Sequence, residues 1–126
     1  MTTVLAVDLG SASGRVLAGT LTDGRLDVTD IHRFKHEARR REDGTLTWDV
    51  ATMEAETIIG LKKALEQFPD AKTVSIDTWG VDWAPLDDNG ELVGDVIAYR
   101  DERTSRTLDA FRARIADREF FDLTGN

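Results

Sequence analysis

Thr3-Val4-Leu5-Ala6-Val7-Asp8-Leu9-Gly10-Ser11-Ala12-Ser13-Gly14-Arg15 begins as an apolar, partly β-branched run, stops at an aspartate and passes into a bend rich in glycine and serine. A run of that kind bounded by turn residues reads as a buried central strand. A second strand follows from Arg15 to Leu21 and turns at Asp23-Gly24, a strong hairpin dipeptide. Leu26 to Phe34 supplies a third strand and completes an antiparallel meander, with one face mixed in character.

Beyond the meander, Asp49 is placed to cap a helix, because its carboxylate can take a free amide proton of the first turn. Val50, Met53, Thr57, Ile58, Leu61, Ala64, Leu65 and Phe68 then recur at helical spacing. Glu54 and Glu56 near the start, with Lys62 and Lys63 near the end, suit the helix dipole. Pro69-Asp70 ends the helix, and Thr73-Val74-Ser75-Ile76-Asp77 is again strand. A second hairpin is expected from Trp83–Leu86 and Leu92-Val93 around Asp87-Asp88-Asn89-Gly90. One last helix is expected from about Glu102, with Leu108, Phe111 and Ile115 on one face.

Three strands, a helix and a further strand open the ribonuclease-H-like fold of actin-like ATPases, sugar kinases and several nucleases. The expected class is therefore α/β, a mixed sheet with an antiparallel three-stranded meander, then helix and parallel strand. Fold alone leaves function open.

Composition narrows the choice. A chain of 126 residues suits one domain, and 40% hydrophobic with 32% charged residues is ordinary for a globular protein. The net charge of −8 disfavours broad attraction to nucleic acid or anionic membrane, so neither is expected as a partner. No segment is apolar enough for long enough to span a bilayer, and Val4–Val7 lacks the features of a secretory leader, so a cytoplasmic location is the expectation. With no cysteine, disulfides, thiolate catalysis and Cys-ligated zinc are excluded, and His32 and His36 are too few for most metal centres. Positive charge gathers at Arg33, Lys35 and Arg39–Arg41, which reads as a solvated loop.

Three segments carry candidate chemistry. In Asp8–Arg15, glycines let the backbone approach an anion, the Ser11 and Ser13 hydroxyls and exposed amides can donate to phosphate oxygens, and Arg15 adds a charged fork. Asp8 at the strand end is suited to hold magnesium through water. The competing reading of this segment is a hairpin turn with a salt-bridged arginine. In Ile76-Asp77-Thr78-Trp79-Gly80-Val81-Asp82-Trp83, carboxylates and indoles flank a glycine, the mixture that carbohydrate recognition needs. Either tryptophan taken singly reads better as a core residue beside a turn. In Ala98-Tyr99-Arg100-Asp101-Glu102-Arg103-Thr104, Arg100 and Asp101 could meet sugar hydroxyls, or Asp101 could be a helix cap.

Together with Leu46-Thr47-Trp48-Asp49, these segments resemble the rhamnulokinase branch of the FGGY carbohydrate kinase family over nearly the whole chain. The resemblance implies transfer of the ATP γ-phosphate to the 1-hydroxyl of L-rhamnulose, with ATP and Mg2+ as cofactors and a two-domain actin-like fold that closes over both substrates. Carried over by position, Ser11, Ala12, Ser13, Gly14 and Arg15 match the phosphate contact. Asp8 matches the metal-associated aspartate, and Gly80 a main-chain contact to the sugar. Thr78, Trp79, Asp82 and Arg100 lie in the segments matching the sugar pocket. Residues 1–126 would form an incomplete amino-terminal domain. The catalytic base is then expected beyond residue 126, with the adenosine pocket in a carboxy-terminal domain, so this stretch alone should turn over negligibly.

Xylulose, fuculose or glycerol are the alternative sugars. Two other classes are a ribonuclease-H-like nuclease with Asp8 and Asp77 sharing two metals, and a non-catalytic sugar-binding module. Self-association through exposed apolar faces is a further expectation.

Overall fold

The computed structural model describes residues 1–125. Three strands open it, β1 Thr2–Leu9, β2 Ser13–Thr22 and β3 Arg25–Lys35. β1 pairs antiparallel with β2, and β2 with β3. The β2–β3 turn sets both Asp23 and Gly24 at positive φ, 51° and 80°, which matches the strand twist. Helix α1, Val50–Gln67, then carries the chain across to β6, Val74–Thr78, which lies parallel to β1. The sheet order is β3-β2-β1-β6. A parallel neighbour requires such a crossover, so meander, helix and parallel strand appear in the expected order.

Asp49 caps α1 as expected, accepting from the Thr52 amide at 3.0 Å. Glu54, Glu56, Lys62 and Lys63 do not serve the dipole, because no acidic residue falls in the first turn and no basic one in the last. Glu56 instead meets His32 Nε2 at 2.6 Å, and Lys63 lies 3.2 Å from His32 Nδ1. They fasten the helix sideways to β3.

Leu5, Val7, Val16, Ala18 and Ala64 form the core between α1 and the sheet. β1 is central in the sheet yet buried on one face only, since α1 covers that face while Val4 on the other stays exposed. Gly60 sits where α1 crosses β2. A Cβ there would fall 2.4 Å from the Val16 Cγ2 and 3.1 Å from the His32 Cβ, so the close approach of helix and sheet depends on its absence.

A small second sheet was not foreseen. β4 Arg39–Arg40, β5 Leu46–Trp48 and β7 Val96–Ile97 pair in the order β4-β5-β7. The arginine-rich stretch is thus partly strand rather than loop. Its charges are matched, Arg39 by Asp49 at 2.9 Å, Arg40 by the Gly44 carbonyl at 2.7 Å, and Arg41 by Asp95. Phe34, Trp48, Met53, Val96 and Ala98 build a second core cluster here, with Leu9 touching both clusters.

The expected second hairpin reduces to one bridge, Leu86 to Leu92, around a turn in which Asp87 accepts from the Asn89 and Glu91 amides. The expected last helix is two, α2 Arg103–Arg112 and α3 Asp117–Thr124. Ala116 is extended, and Asp117 and Glu119 supply the negative charge that suits a fresh helix start. Ile115 therefore lies between helices. Phe111 meets Phe120 edge-on at 5.2 Å across the break.

His36 is buried beside the second cluster, stacked on Trp79 and edge-on to Trp48. Burial lowers its pKa from 6.5, against a smaller raising contribution from the Gly10 backbone.

Two outcomes follow from this packing. Gly60→Ala should lower the urea midpoint, since overpacking costs about 1–3 kcal/mol, offset by about 1 kcal/mol of helix propensity; a raised midpoint contradicts the close contact. For His36, both states are neutral well above pH 6.5. As pH falls below that value the unfolded chain binds the proton first, so stability drops through the lowered folded pKa. Urea midpoints of the wild type should fall more steeply than those of His36→Phe between about pH 7 and pH 5, and parallel curves contradict this.

Candidate functional site

β1 and β6 run parallel with Asp8 opposite Asp77 and Leu9 opposite Thr78. The segments that follow them, Gly10–Ala12 and Trp79–Asp82, therefore leave the sheet side by side at the same end. Ends of parallel strands are where open α/β sheets bind ligands.

Ser11 and Ala12 form the tip of the β1–β2 hairpin. It is closed by the Gly10 amide on the Ser13 carbonyl at 2.9 Å, and the Ala12 carbonyl accepts from His36 N at 3.3 Å. Among the described residues the amides of Ser11 and Ala12 donate no hydrogen bond, which leaves two unpaired donors at the tip, a combination suited to an anion. Ser13, Gly14 and Arg15 lie within β2. Gly14 is buried and serves packing: a Cβ would fall 2.3 Å from the Phe34 ring.

Arg15 is paired with Asp8, directly across the hairpin, at 2.7 Å through Nε and 2.6 Å through Nη2. The salt-bridged arginine weighed from the sequence is thus present. Both contacts use Asp8 Oδ2. Asp77 shares the face of Asp8 in the register, so two carboxylates stand together at the strand ends. Oxygen donors of that kind suit magnesium, which is held by few carboxylates and several waters. No group of three or more His, Cys, Asp or Glu that could hold a metal occurs among the described residues.

The second segment rests on an aromatic base. Trp48 and Trp79 lie 5.0 Å apart, and Asp82 Oδ2 accepts from both indoles, at 2.7 Å from Trp48 Nε1 and 2.5 Å from Trp79 Nε1. Trp79 is half-buried and packs against the second core cluster, and Trp83 is exposed. Between Trp79 and Asp82 stand Gly80, with open space beside its Cα, and Val81 at φ 71°. A left-handed β-branched residue costs about 1–2 kcal/mol.

Thr78 ends β6 and is exposed. Arg100 donates to the Tyr99 hydroxyl at 2.9 Å and lies over that ring. Asp101 is a structural clip. Its two oxygens accept from the Leu46 and Arg103 amides at 2.9 Å each, which holds its carboxyl below the usual range. Sequence reasoning gave no role to Trp48 or His36. The alternation of His32, Phe34 and His36 along one strand face was the available signal.

A groove of about 460 Å³ between α1 and β6 is lined by Leu9, Met53, Leu61, Ile76 and Trp79. Asp82 is among its few polar residues. So few hydroxyl partners suit packing better than sugar. No helix among the described residues is long and apolar enough to cross a membrane.

Comparison with known proteins agrees with this geometry. The N-terminal domain of the FGGY family of carbohydrate kinases matches residues 3–126. The rhamnulokinase of Bacillus subtilis is 37% identical over 120 residues, covering 95% of this chain and 24% of that protein. The rhamnulokinase of Klebsiella pneumoniae is 40% identical over 123 residues, covering 96% and 25%. The chain thus spans about a quarter of the length of these relatives. Among solved structures, the xylulose kinase of Rhodospirillum rubrum superposes with a TM-score of 0.76 at 18% identity, covering 94% of this chain and 25% of that one. A kinase from Brucella ovis gives 0.75 at 17%, covering 98% and 25%. The fold is the actin-like ATPase fold, and the chain belongs to the FGGY family of carbohydrate kinases.

Proposed function

We propose that this chain is the amino-terminal half-site of a cytoplasmic, ATP-dependent rhamnulokinase. The observation that carries the reading is the parallel β1–β6 pairing, which sets the Ser11–Ala12 tip beside the Gly80 turn in a chain 37–40% identical to rhamnulokinases.

In this reading the Ser11 and Ala12 amides, the Ser13 hydroxyl and Arg15 receive the phosphates of ATP, with Gly14 keeping the hairpin flat against Phe34. Gly80 offers its main chain to L-rhamnulose, Thr78, Trp79 and Arg100 border the sugar, and Asp82, bound by both indoles, supports the Gly80 turn. Asp8 would hold Mg2+ through water, and the ion would neutralise charge on the transferring phosphoryl group. The sugar 1-hydroxyl oxygen bonds to the γ-phosphorus as the bond to the β,γ-bridging oxygen breaks and ADP leaves. In this reading the hydroxyl proton passes to a base beyond residue 126, and adenosine is held by a carboxy-terminal domain. Positioning from one side only should leave the 126-residue chain inactive.

A coupled ADP-release assay with Mg-ATP and L-rhamnulose tests this. Turnover is expected only in a protein extended to the length of the relatives, and Asp8→Ala in it should cost roughly a hundredfold. Gly80→Trp should block sugar use. Turnover by the short chain overturns the missing base, and preference for xylulose, fuculose or glycerol overturns the substrate. Val74, Ile76, Phe121 and Leu123 are exposed, so light scattering from the short chain should rise faster than concentration; a strict monomer contradicts self-association.

A further inference from the structure

Asp82 is held by two indoles from distant parts of the chain. Trp48 ends β5, immediately before the Asp49 cap of α1, while Trp79 leaves β6. Both donate to the one oxygen Oδ2, and the buried Oδ1 takes no hydrogen bond among the described residues. The rings that donate are themselves fixed, Trp48 against Trp79 and Trp79 stacked on His36. The acceptor therefore cannot move away without breaking both indole hydrogen bonds.

The bond from Trp79 to Asp82 closes a ring around only Gly80 and Val81. Those two residues bend the chain inside it. Val81 does so in the left-handed region, φ 71°, with its side chain 80% exposed. A β-branched residue does not adopt that conformation by preference, and an exposed side chain gains no packing there. The constraint must come from the flanks, and Asp82 is the flank that is clamped. Strain held by surrounding structure is a feature of ligand-binding turns.

We propose that Asp82 is a positioning residue: bound by Trp48 and Trp79, it holds Gly80-Val81 in the strained turn and so fixes how the Gly80 main chain meets a sugar. This deepens the rhamnulokinase reading, on which it rests for the ligand. Asp82 then acts on the sugar through Gly80 and without touching it.

A double-mutant cycle in urea reads the clamp without any ligand. Glycine tolerates positive φ, so Val81→Gly should raise the unfolding midpoint of the wild-type chain. In the Asp82→Ala background the turn is free to relax, and the same change should raise it no further. Equal gains in both backgrounds overturn the proposal. Should Asp82→Ala fail to fold, indole hydrogen exchange in the wild type decides. Trp48 and Trp79 should exchange roughly tenfold or more slowly than Trp83, which is 69% exposed, and equal rates overturn the clamp. Calorimetric titration with L-rhamnulose reads the consequence. Affinity should fall roughly tenfold in Asp82→Ala and recover in Asp82→Asn, which keeps an acceptor oxygen. Undiminished binding in Asp82→Ala overturns the positioning role. No heat from any chain, wild type included, sinks the sugar reading and leaves the cycle and the exchange rates to decide the clamp.

Discussion

Parallel pairing between β1 and β6 is the constraint on which the rest of this molecule depends. A parallel neighbour cannot be reached by a tight turn, so the chain must cross the sheet, and α1 is that crossing. The crossing buries Leu5, Val7, Val16 and Ala18 against Ala64. Pairing also fixes the register, so residues at the strand ends divide by face. Leu9 turns to the helix side, where it touches both core clusters, and Asp8 and Asp77 turn to the other. Period-two alternation thus separates the residues that pack from those available for chemistry.

At the end where the strands stop, the two segments are built differently. The hairpin tip after β1 is small and carries free amides, with its one strong charge pair, Asp8 and Arg15, lying just inside it. The turn after β6 has no free strand partner and gains its rigidity from side chains instead. His36, Trp48 and Trp79 form a ring cluster, and Asp82 ties two of them. Charge-assisted bonds of about 1.5–3 kcal/mol each can hold the about 1–2 kcal/mol of backbone strain at Val81.

Much of this was legible in the sequence, where local signals act alone. Asp23-Gly24 dictated a turn that needs two positive φ values, Asp49 dictated a cap, and the apolar spacing of α1 dictated its buried face. Long-range partners were not legible. In the β4-β5-β7 sheet β5 pairs with β7 from far along the chain, Thr47 with Ile97, and all three strands are too short to show a period. The split between α2 and α3 depends on one extended residue, Ala116. At the candidate site, the residue types were readable and the pairings were not. Arg15 could be read as a phosphate ligand or as a salt-bridged arginine without its partner Asp8 being named, and nothing local announced that Gly14 lies against Phe34. Asp82 looked like a sugar acceptor, because nothing local announces that Trp48 lies within its reach.

We propose that one end of the β1–β6 pair holds two ligands, phosphate at the hairpin tip and sugar at the glycine turn. Backbone amide shifts of the 15N-labelled chain, followed during separate additions of L-rhamnulose and of Mg-ATP, test it most directly. The sugar is expected to move the Gly80 and Val81 resonances, and the nucleotide those of Ser11 and Ala12, with α3 unaffected by either. Shifts confined to other surfaces, or the same residues answering both ligands alike, would contradict it.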